Sequence, residues 1–194
     1  MSIGRKITEP NGIYFITFTC TRWLPLFQMT DGYGAVYKWF DYLRKNRHYI
    51  AGYVIMPSHV HALIAFSGSR TDINSVIANG KRFMAYDLVK RLKEQGRDAI
   101  LVQLASWVNQ TERLKNKQHE VFEPSFDRKE CRTNFFTKQK VDYIHINPCK
   151  SGLVQLPEDY LHSSAKYYYT GEQGIYPVIT YMELQDIDLT WPLF

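Results

Sequence analysis

Alternating apolar and polar positions predict three strands in the N-terminal part of the chain. Residues Gly12–Trp23 (GIYFITFTCTRW) are dominated by β-branched and aromatic side chains and predict the first strand. Tyr49–Met56 and His59–Phe66 (HVHALIAF) predict the second and third strands. Because only Pro57 and Ser58 separate these two segments, we expect them to form a hairpin with a very short loop.

Apolar residues at helical spacing predict two helices on either side of this hairpin. Thr30 or Asp31 can cap the first, which ends near Arg47. Its apolar face carries Val36, Trp39, Phe40 and Leu43. The second begins at Asp72, and its apolar stripe comprises Ile73, Ile77, Met84, Leu88 and Leu92. Gly80 lowers the helix propensity in its middle and leaves a break there open.

The C-terminal half contains one further strong helix signal and several weaker ones. Thr133 can cap a helix that we expect to end at about Asn147, because Pro148 disfavours helical conformation in the residue before it. The weaker segments are Leu101–Val108 as a short helix or strand, Thr111–His119 as a loop and Val121–Cys131 as an extended strand. From about residue 155 the chain reads as an irregular tail, with a short strand possible at Tyr176–Tyr181.

These elements follow one another in the order β-α-β-β-α-β-α. Two strand-helix-strand units that share an antiparallel sheet form a ferredoxin-like sandwich. The sequence therefore predicts an α+β fold with an antiparallel sheet and helices on one face, and residues 1–194 are expected to form a single domain.

Composition adds a preference for a nucleic-acid partner. The net charge is +5, and aromatic residues make up 15% of the chain, including 14 tyrosines. Basic and aromatic side chains together suit the backbone and the unpaired bases of single strands. The three cysteines are widely spaced and predict free thiols. A polar N-terminus and the lack of a long apolar run lead us to expect a cytoplasmic protein without a membrane partner.

The pair His59 and His61 is a candidate metal site. On a strand, residues two apart point to the same face, whereas Val60 between them points into the core. Two imidazoles can thus converge on one divalent cation such as Mg²⁺ or Mn²⁺. Two nitrogen ligands are too few for a closed structural zinc site, so open positions favour catalysis. A pair of surface histidines without a ligand is the alternative.

The last predicted helix carries a second candidate set. Tyr143 and Asn147 are four residues apart and share one face, so a phenol and an amide point from the helix together. An amide oxygen is a hard ligand that suits Mg²⁺ or Mn²⁺. His145 lies on the apolar face and is expected to be packed. An amphipathic helix with a half-exposed tyrosine is the alternative for this helix in isolation.

Five segments, in order along the chain, resemble one family. MPSHVHALI (56–64) resembles the His-hydrophobe-His motif of Y1 tyrosine transposases, and DYIHINPCKSGLV (142–154) resembles the signature of their REP-associated branch. FITFTCTRWLPLF (15–27), FEPSFDRKECR (122–132) and the Ser163-Ser164 pair are similar to further elements of that branch. The segment 95–117 departs from the pattern, because it is longer than expected between these elements.

The resemblance implies a ferredoxin-like HUH endonuclease that acts on single-stranded DNA, often with a hairpin. It implies that Tyr143 is the nucleophile, that His59 and His61 are metal ligands and that Asn147 is a third polar ligand. The expected activity is a metal-dependent endonuclease and strand transferase with a 5′-phosphotyrosine intermediate. Two alternatives stay open: a module that binds hairpin DNA without cleavage, and a metal phosphoesterase that uses water.

Basic residues are expected to hold the DNA backbone. The candidates are Arg22, Lys81, Arg82, Lys115, Lys117 and Lys140. Lys140, one turn before Tyr143, is also a candidate to assist removal of the phenol proton. A homodimer is open as well, since the tyrosine helix could serve its own histidines or those of a partner chain.

Overall fold

Four strands form one antiparallel sheet in the computed structural model of the chain, which describes residues 11–68 and 72–190. They are β1 (Gly12–Thr19), β2 (Tyr49–Ile55), β3 (His59–Phe66) and β4 (Asp127–Glu130). Their order is β2-β3-β1-β4, and all neighbours run antiparallel. This is the strand order of a ferredoxin-like sandwich, so the predicted fold class is confirmed.

The helices are α1 (Leu26–Thr30), α2 (Tyr33–Lys45), α3 (Ile73–Glu94), α4 (Asp98–Ser106), α5 (Gln110–Leu114), α6 (Asn134–Lys150) and α7 (Ala165–Thr170). Single 3-10 turns occupy Thr21–Trp23, Pro157–Asp159 and Glu183–Asp186. The two crossover helices of the sandwich are α2 and α3, which connect β1 to β2 and β3 to β4.

The crossover helices α2 and α3 pack against one face of the sheet, as predicted. Their buried core includes Phe40 and Leu88 together with Ile16, Val60 and Ile64 from the strands. The break that was left open at Gly80 does not occur, and α3 is continuous. A Cβ atom at Gly80 would lie 2.3 Å from Trp39 Nε1, so glycine allows the close approach of α2 and α3.

The last core helix, α6, packs on the opposite face of the sheet. Val141 and Ile144 are buried there against a second cluster that includes Phe15, Val54 and Leu63. The prediction of helices on one face therefore describes α2 and α3 but not α6. Because helices cover both faces of the sheet, every residue of β3 is buried.

The chain beyond residue 155 is more regular than predicted and lies along the free edge of β2. Ile55 N donates to His162 O (2.8 Å), Ser164 N donates to Tyr53 O (3.0 Å) and Ile179 N donates to Ile50 O (3.2 Å). The predicted strand at Tyr176–Tyr181 is absent, although this segment still contributes the last of these bonds. Covering the edge satisfies backbone groups that would otherwise be open to pairing with another chain.

The end of α6 differs from the prediction in a way that affects the site. The helix continues through Pro148 to Lys150, so the expectation that Pro148 ends it at Asn147 is wrong. A proline this close to the end removes one helical hydrogen bond, and Ser151 N still donates to Asn147 O (3.1 Å). Asn147 consequently lies within the helix rather than in a flexible end.

Other boundaries were also predicted incorrectly. The first strand ends at Thr19, and neither Thr30 nor Asp31 caps α2. Asp31 instead takes the left-handed conformation (φ 49°) that ends α1. The segment Thr111–His119, predicted to be a loop, contains most of α5, which Asn109 caps by accepting from Glu112 N (2.9 Å). The ambiguous segment 101–108 is mainly helical.

Within residues 11–68 and 72–190, none of the helices combines the length and the apolar character needed to span a bilayer.

The buried His48 predicts how acid affects the fold. Its side chain is 1% exposed, and its Nδ1 atom has no hydrogen-bond partner among the residues that the structure describes. Burial lowers its pKa from 6.5 to about 4. The unfolded chain therefore takes up a proton first as pH falls, so stability present above pH 6.5 is lost between about 6.5 and 4. We expect His48→Leu to reduce this loss by about 2 kcal/mol.

The measurement is the free energy of unfolding in urea at pH 7 and pH 4.5 for both proteins. The wild-type protein at each pH is the control for any direct effect of the leucine. Identical losses of stability in the two proteins would contradict the assignment of His48 as a buried neutral group.

Candidate active site

The two histidines of β3 lie side by side on the sheet face that α6 covers. His59 and His61 are 8% and 5% exposed, and their ring centroids are 4.7 Å apart. Val60 between them packs into the core on the other face, under α2 and α3. The alternation expected from the sequence is therefore confirmed, and both imidazoles are available to one bound group.

A hydroxyl group contacts one nitrogen of each imidazole. Thr17 Oγ1, opposite His61 in the β1·β3 register, lies 2.7 Å from His61 Nδ1, and Ser58 Oγ lies 3.2 Å from His59 Nδ1. If both Nδ1 atoms donate to these hydroxyls, the Nε2 lone pairs are left for a cation. This is the arrangement in which outer contacts orient metal-binding histidines.

The electrostatics of the pair keep both rings neutral at physiological pH. Burial lowers the pKa of His59 from 6.5 to about 4. Burial, together with the neighbouring His59, lowers the pKa of His61 to about 3. A neutral imidazole is the form that binds metal ions, so the ligands need not lose a proton first.

Tyr143 reaches this pair from α6 within the same chain. Its ring centroid lies 5.1 Å from that of His61 and 5.9 Å from that of Phe15. The side chain is 40% exposed, so the phenol is accessible to a substrate from solution. The two sequence motifs therefore meet in space, and one chain is sufficient to bring them together.

Asn147 completes the cluster one helical turn after Tyr143. Its side chain lies near His59, where it opposes to a smaller extent the lowering of the imidazole pKa by burial. Within residues 11–68 and 72–190, no three His, Cys, Asp or Glu side chains form a group that could hold a metal ion. A cation here would thus use the two imidazoles and the amide, a mixed nitrogen and oxygen set that suits Mn²⁺ and, through its amide oxygen, Mg²⁺.

Two lysines flank the tyrosine ring on α6. Lys140 Nζ lies 5.9 Å and Lys150 Nζ lies 6.0 Å from its centroid. Lys140 also lies 4.8 Å from the ring centroid of Phe136. Lys140 was predicted from the sequence and Lys150 was not, although a spacing of seven residues from Tyr143 places Lys150 on the same helix face.

A tryptophan that was not predicted from the sequence lies on the other side of the histidines. The ring of Trp23 is edge-to-face with that of His59, with centroids 5.1 Å apart. It follows Arg22, a predicted DNA contact, in the 3-10 turn after β1. Arg22 is exposed, and its guanidinium lies 4.4 Å from the ring centroid of Trp107.

The remaining basic candidates are away from this cluster, and one of them has a structural role. Lys81 is 9% exposed, and its ammonium donates to the carbonyls of Glu123 (2.7 Å), Pro124 (3.4 Å) and Ser125 (3.1 Å). Burial lowers the pKa of Lys81 to about 8. The prediction that Lys81 contacts DNA is therefore replaced by a role in fixing the loop before β4.

The other three are surface groups on the α3, α4 and α5 side of the molecule. Arg82 is exposed on α3, with its guanidinium 5.3 Å from the ring centroid of Phe83. Lys115 pairs with Glu112 (2.9 Å), and Lys117 pairs with Glu120. The structure does not bring these three side chains to the histidines and the tyrosine.

His145 fixes the orientation of α6 from its buried side. It is 1% exposed, as predicted for a packed histidine, and its Nε2 lies 2.9 Å from Ser164 Oγ. Burial lowers its pKa to about 4, so the ring stays neutral. Ser164 Oγ also accepts from Tyr53 N (2.9 Å), which connects the tyrosine helix to β2 through one hydroxyl.

The overall architecture matches a solved structure. A REP-associated tyrosine transposase bound to a REP hairpin is similar to this chain with a TM-score of 0.57 and 20% identity, over 100% of this chain and 99% of that one. The chain has the fold of that transposase. The fold implied by the sequence resemblance is thereby confirmed.

The other comparisons add little. A candidate transposase from Deinococcus radiodurans has a TM-score of 0.36 and 14% identity over 74% of this chain and 95% of that one, which is too weak to bear on the fold. No family model and no curated protein matches the chain.

The contacts of Ser164 predict a large effect for a small substitution. Ser164→Ala removes the partner of both Tyr53 N and His145 Nε2, and leaves these buried groups unsatisfied. We expect a loss of about 2 kcal/mol in the free energy of unfolding. Urea denaturation measures it, and Ser151→Ala, at an exposed position after α6, is the control with a change under about 0.5 kcal/mol. Equal stabilities for the two variants would contradict the proposed link.

Proposed function

We propose that the chain is a metal-dependent endonuclease and strand transferase of the transposase kind, which cuts single-stranded DNA with Tyr143 as nucleophile. The observation that carries the proposal is the cluster of Tyr143, His59, His61 and Asn147 within one chain. A phenol beside two neutral imidazoles and an amide combines a nucleophile with ligands for a divalent cation.

The fold likeness supports hairpin-containing DNA as the substrate. The structurally similar transposase is bound to a REP hairpin, and the two chains match over nearly their full lengths. A net charge of +5 suits a phosphate backbone.

The residues present fit a divalent cation, Mg²⁺ or Mn²⁺. His59, His61 and Asn147 would hold it. When bound, such a cation would supply Lewis-acid stabilisation for the charge that develops on the scissile phosphate. Thr17 and Ser58 would orient the imidazoles through their Nδ1 atoms.

The proposed reaction exchanges one phosphate ester for another. The Tyr143 oxygen forms a bond to phosphorus as its proton passes to solvent water, which can reach the ring because the side chain is 40% exposed. The bond from phosphorus to the 3′ oxygen of the preceding nucleotide breaks, and that oxygen takes up a proton and leaves as a 3′-hydroxyl. The strand remains joined to the enzyme through a 5′-phosphotyrosine.

The phosphotyrosine preserves the energy of the broken ester. A 3′-hydroxyl, from the same strand or from another, can therefore attack it and restore a phosphodiester without ATP. Lys140 and Lys150 place two positive charges within 6.0 Å of the ring centroid of Tyr143. They would hold the phosphate near the phenol and stabilise the negative charge of the reacting groups.

Replacement of the phenol separates the proposal from its alternatives. Tyr143→Phe removes one oxygen atom, so we expect covalent protein–DNA adducts to disappear while hairpin binding stays within about twofold. The measurement is denaturing gel analysis of a pool of labelled hairpins with randomised single-stranded arms, incubated with Mg²⁺ or Mn²⁺. Tyr42→Phe, at a tyrosine that is 48% exposed on α2, is the matched control and should retain the adduct.

Two results would contradict the tyrosine mechanism. Cleavage that persists in Tyr143→Phe would favour a phosphoesterase that uses water. Binding by the wild-type protein without any cleavage, across the whole pool and with either cation, would favour a module that only binds hairpins.

The proposed cation site can be tested through the contact between Thr17 and His61, which should affect metal affinity. We expect EDTA to abolish the adduct and added Mn²⁺ to restore it. Thr17→Val keeps the shape of the side chain but removes the hydroxyl on His61 Nδ1, and should weaken Mn²⁺ binding by about ten- to hundredfold. His61→Ala should weaken it further.

Mn²⁺ binding is followed by calorimetric titration of the protein without DNA, which is independent of cleavage. Thr111→Val, at an exposed position on α5, is the matched control and should bind as the wild-type protein does. An adduct that forms in EDTA, or an unchanged Mn²⁺ affinity in both Thr17→Val and His61→Ala, would rule out this site.

A further inference from the structure

Trp23 is exposed at the edge of the candidate active site. Its side chain is 64% accessible, whereas Trp39 is buried and Trp107 is half-buried. It is therefore the one exposed tryptophan among residues 11–68 and 72–190. Its position beside His59 leaves the indole face accessible to a ligand that reaches the candidate site.

The backbone of the turn that carries the indole has a conformation that residues other than glycine rarely adopt. Arg22 and Trp23 both lie in the left-handed region, with φ of 50° and 61°. Hydrogen bonds fix the turn: Arg22 N donates to Glu123 Oε1 (2.8 Å), and Trp23 N donates to Cys20 O (3.0 Å). Strained residues that their surroundings hold in place are concentrated at binding and catalytic sites.

The segment 95–117, which is longer than the family resemblance leads us to expect, packs against this turn. Trp107, which follows α4 in that segment, carries the guanidinium of Arg22 at 4.4 Å from its ring centroid. Thr21 N donates to Val121 O (2.9 Å), which joins the turn to the chain just after the segment. A planar cation and an exposed indole thus occupy successive positions of one turn, with the cation against Trp107 and the indole against His59.

The turn contacts the cluster of Tyr143, His59, His61 and Asn147 through the ring of Trp23. The rings of Trp23, His59, His61 and Tyr143 form a row, in which neighbouring centroids are 5.1, 4.7 and 5.1 Å apart. Trp23 lies at one end of this row and the proposed nucleophile at the other. A phosphate between Tyr143 and the histidines would therefore have its neighbouring nucleotide within reach of the indole.

We propose that Trp23 is a base-stacking residue that holds an unpaired DNA base next to the scissile phosphate, with Arg22 neutralising the adjacent backbone. The inference rests on the proposed function, because it takes single-stranded DNA as the substrate. Stacking on an aromatic side chain is tolerant of sequence, since every base has a π face. Trp23 thus sets the position of the unpaired strand and leaves the choice of sequence to other contacts.

The test uses two dye-labelled DNA hairpins that differ only in their single-stranded arms, oligo-dT in one and abasic in the other. Affinities are measured by fluorescence anisotropy in EDTA, so that no strand is cut. The wild-type protein should bind the oligo-dT hairpin more tightly, by about fivefold to a hundredfold. Trp23→Ala should lose most of this preference and Trp23→Phe should keep it.

Phe83→Ala is the matched control, because Phe83 is 63% exposed on α3, on the other side of the sheet. It should behave as the wild-type protein does. Thermal unfolding checks that each variant is folded. If Trp23→Ala is unstable, Trp23→Leu decides the question, since it keeps an apolar side chain beside His59 but has no π face.

A wild-type protein without a preference for the oligo-dT arm, or a folded Trp23 variant that keeps the preference without an aromatic ring, would overturn the stacking role. Both outcomes are independent of the Tyr143 adduct. An adduct on Tyr143 without base-dependent binding would therefore refute only the stacking role. Base-dependent binding that requires Trp23, without any adduct, would support stacking and refute the proposed cleavage.

Discussion

The packing of α6 against the sheet is the constraint on which the rest of the site depends. Val141 and Ile144 are buried against β2 and β3, and this contact fixes both the position and the rotation of the helix. With the helix rotated in this way, Tyr143 lies beside His61 and Asn147 beside His59. A hydrogen bond between His145 on α6 and the hydroxyl of Ser164 connects the same helix to the C-terminal segment.

Local periodicity was sufficient to predict the two halves of the site. The two-residue repeat of a strand puts His59 and His61 on one face, and the 3.6-residue repeat of a helix puts Tyr143 and Asn147 on one face. The same reasoning identified His145 as a packed residue. These predictions succeeded because each depends on a repeat within a single element, which tertiary packing rarely changes.

Relations between elements were beyond the reach of periodicity. That α6 covers the face opposite α2 and α3 depends on which apolar surface is left open after the sheet has formed. Periodicity alone puts Lys81 on the apolar stripe of α3, four residues after Ile77 and three before Met84. It could not identify the carbonyls more than forty residues away that accept hydrogen bonds from the buried ammonium. Trp23 was not predicted to lie at the site, since its partner His59 belongs to β3, which is distant in sequence from the turn after β1.

Mass analysis of the covalent complex tests the central claim most directly, namely that Tyr143 forms the link to DNA. The protein would be incubated with a labelled hairpin substrate and Mn²⁺, the linked DNA digested to a single nucleotide, and the protein cleaved with a protease. The account predicts that the peptide containing Tyr143 gains the mass of one nucleotide on its tyrosine. A nucleotide on any other of the 14 tyrosines, or cleaved DNA without any modified peptide, would contradict it.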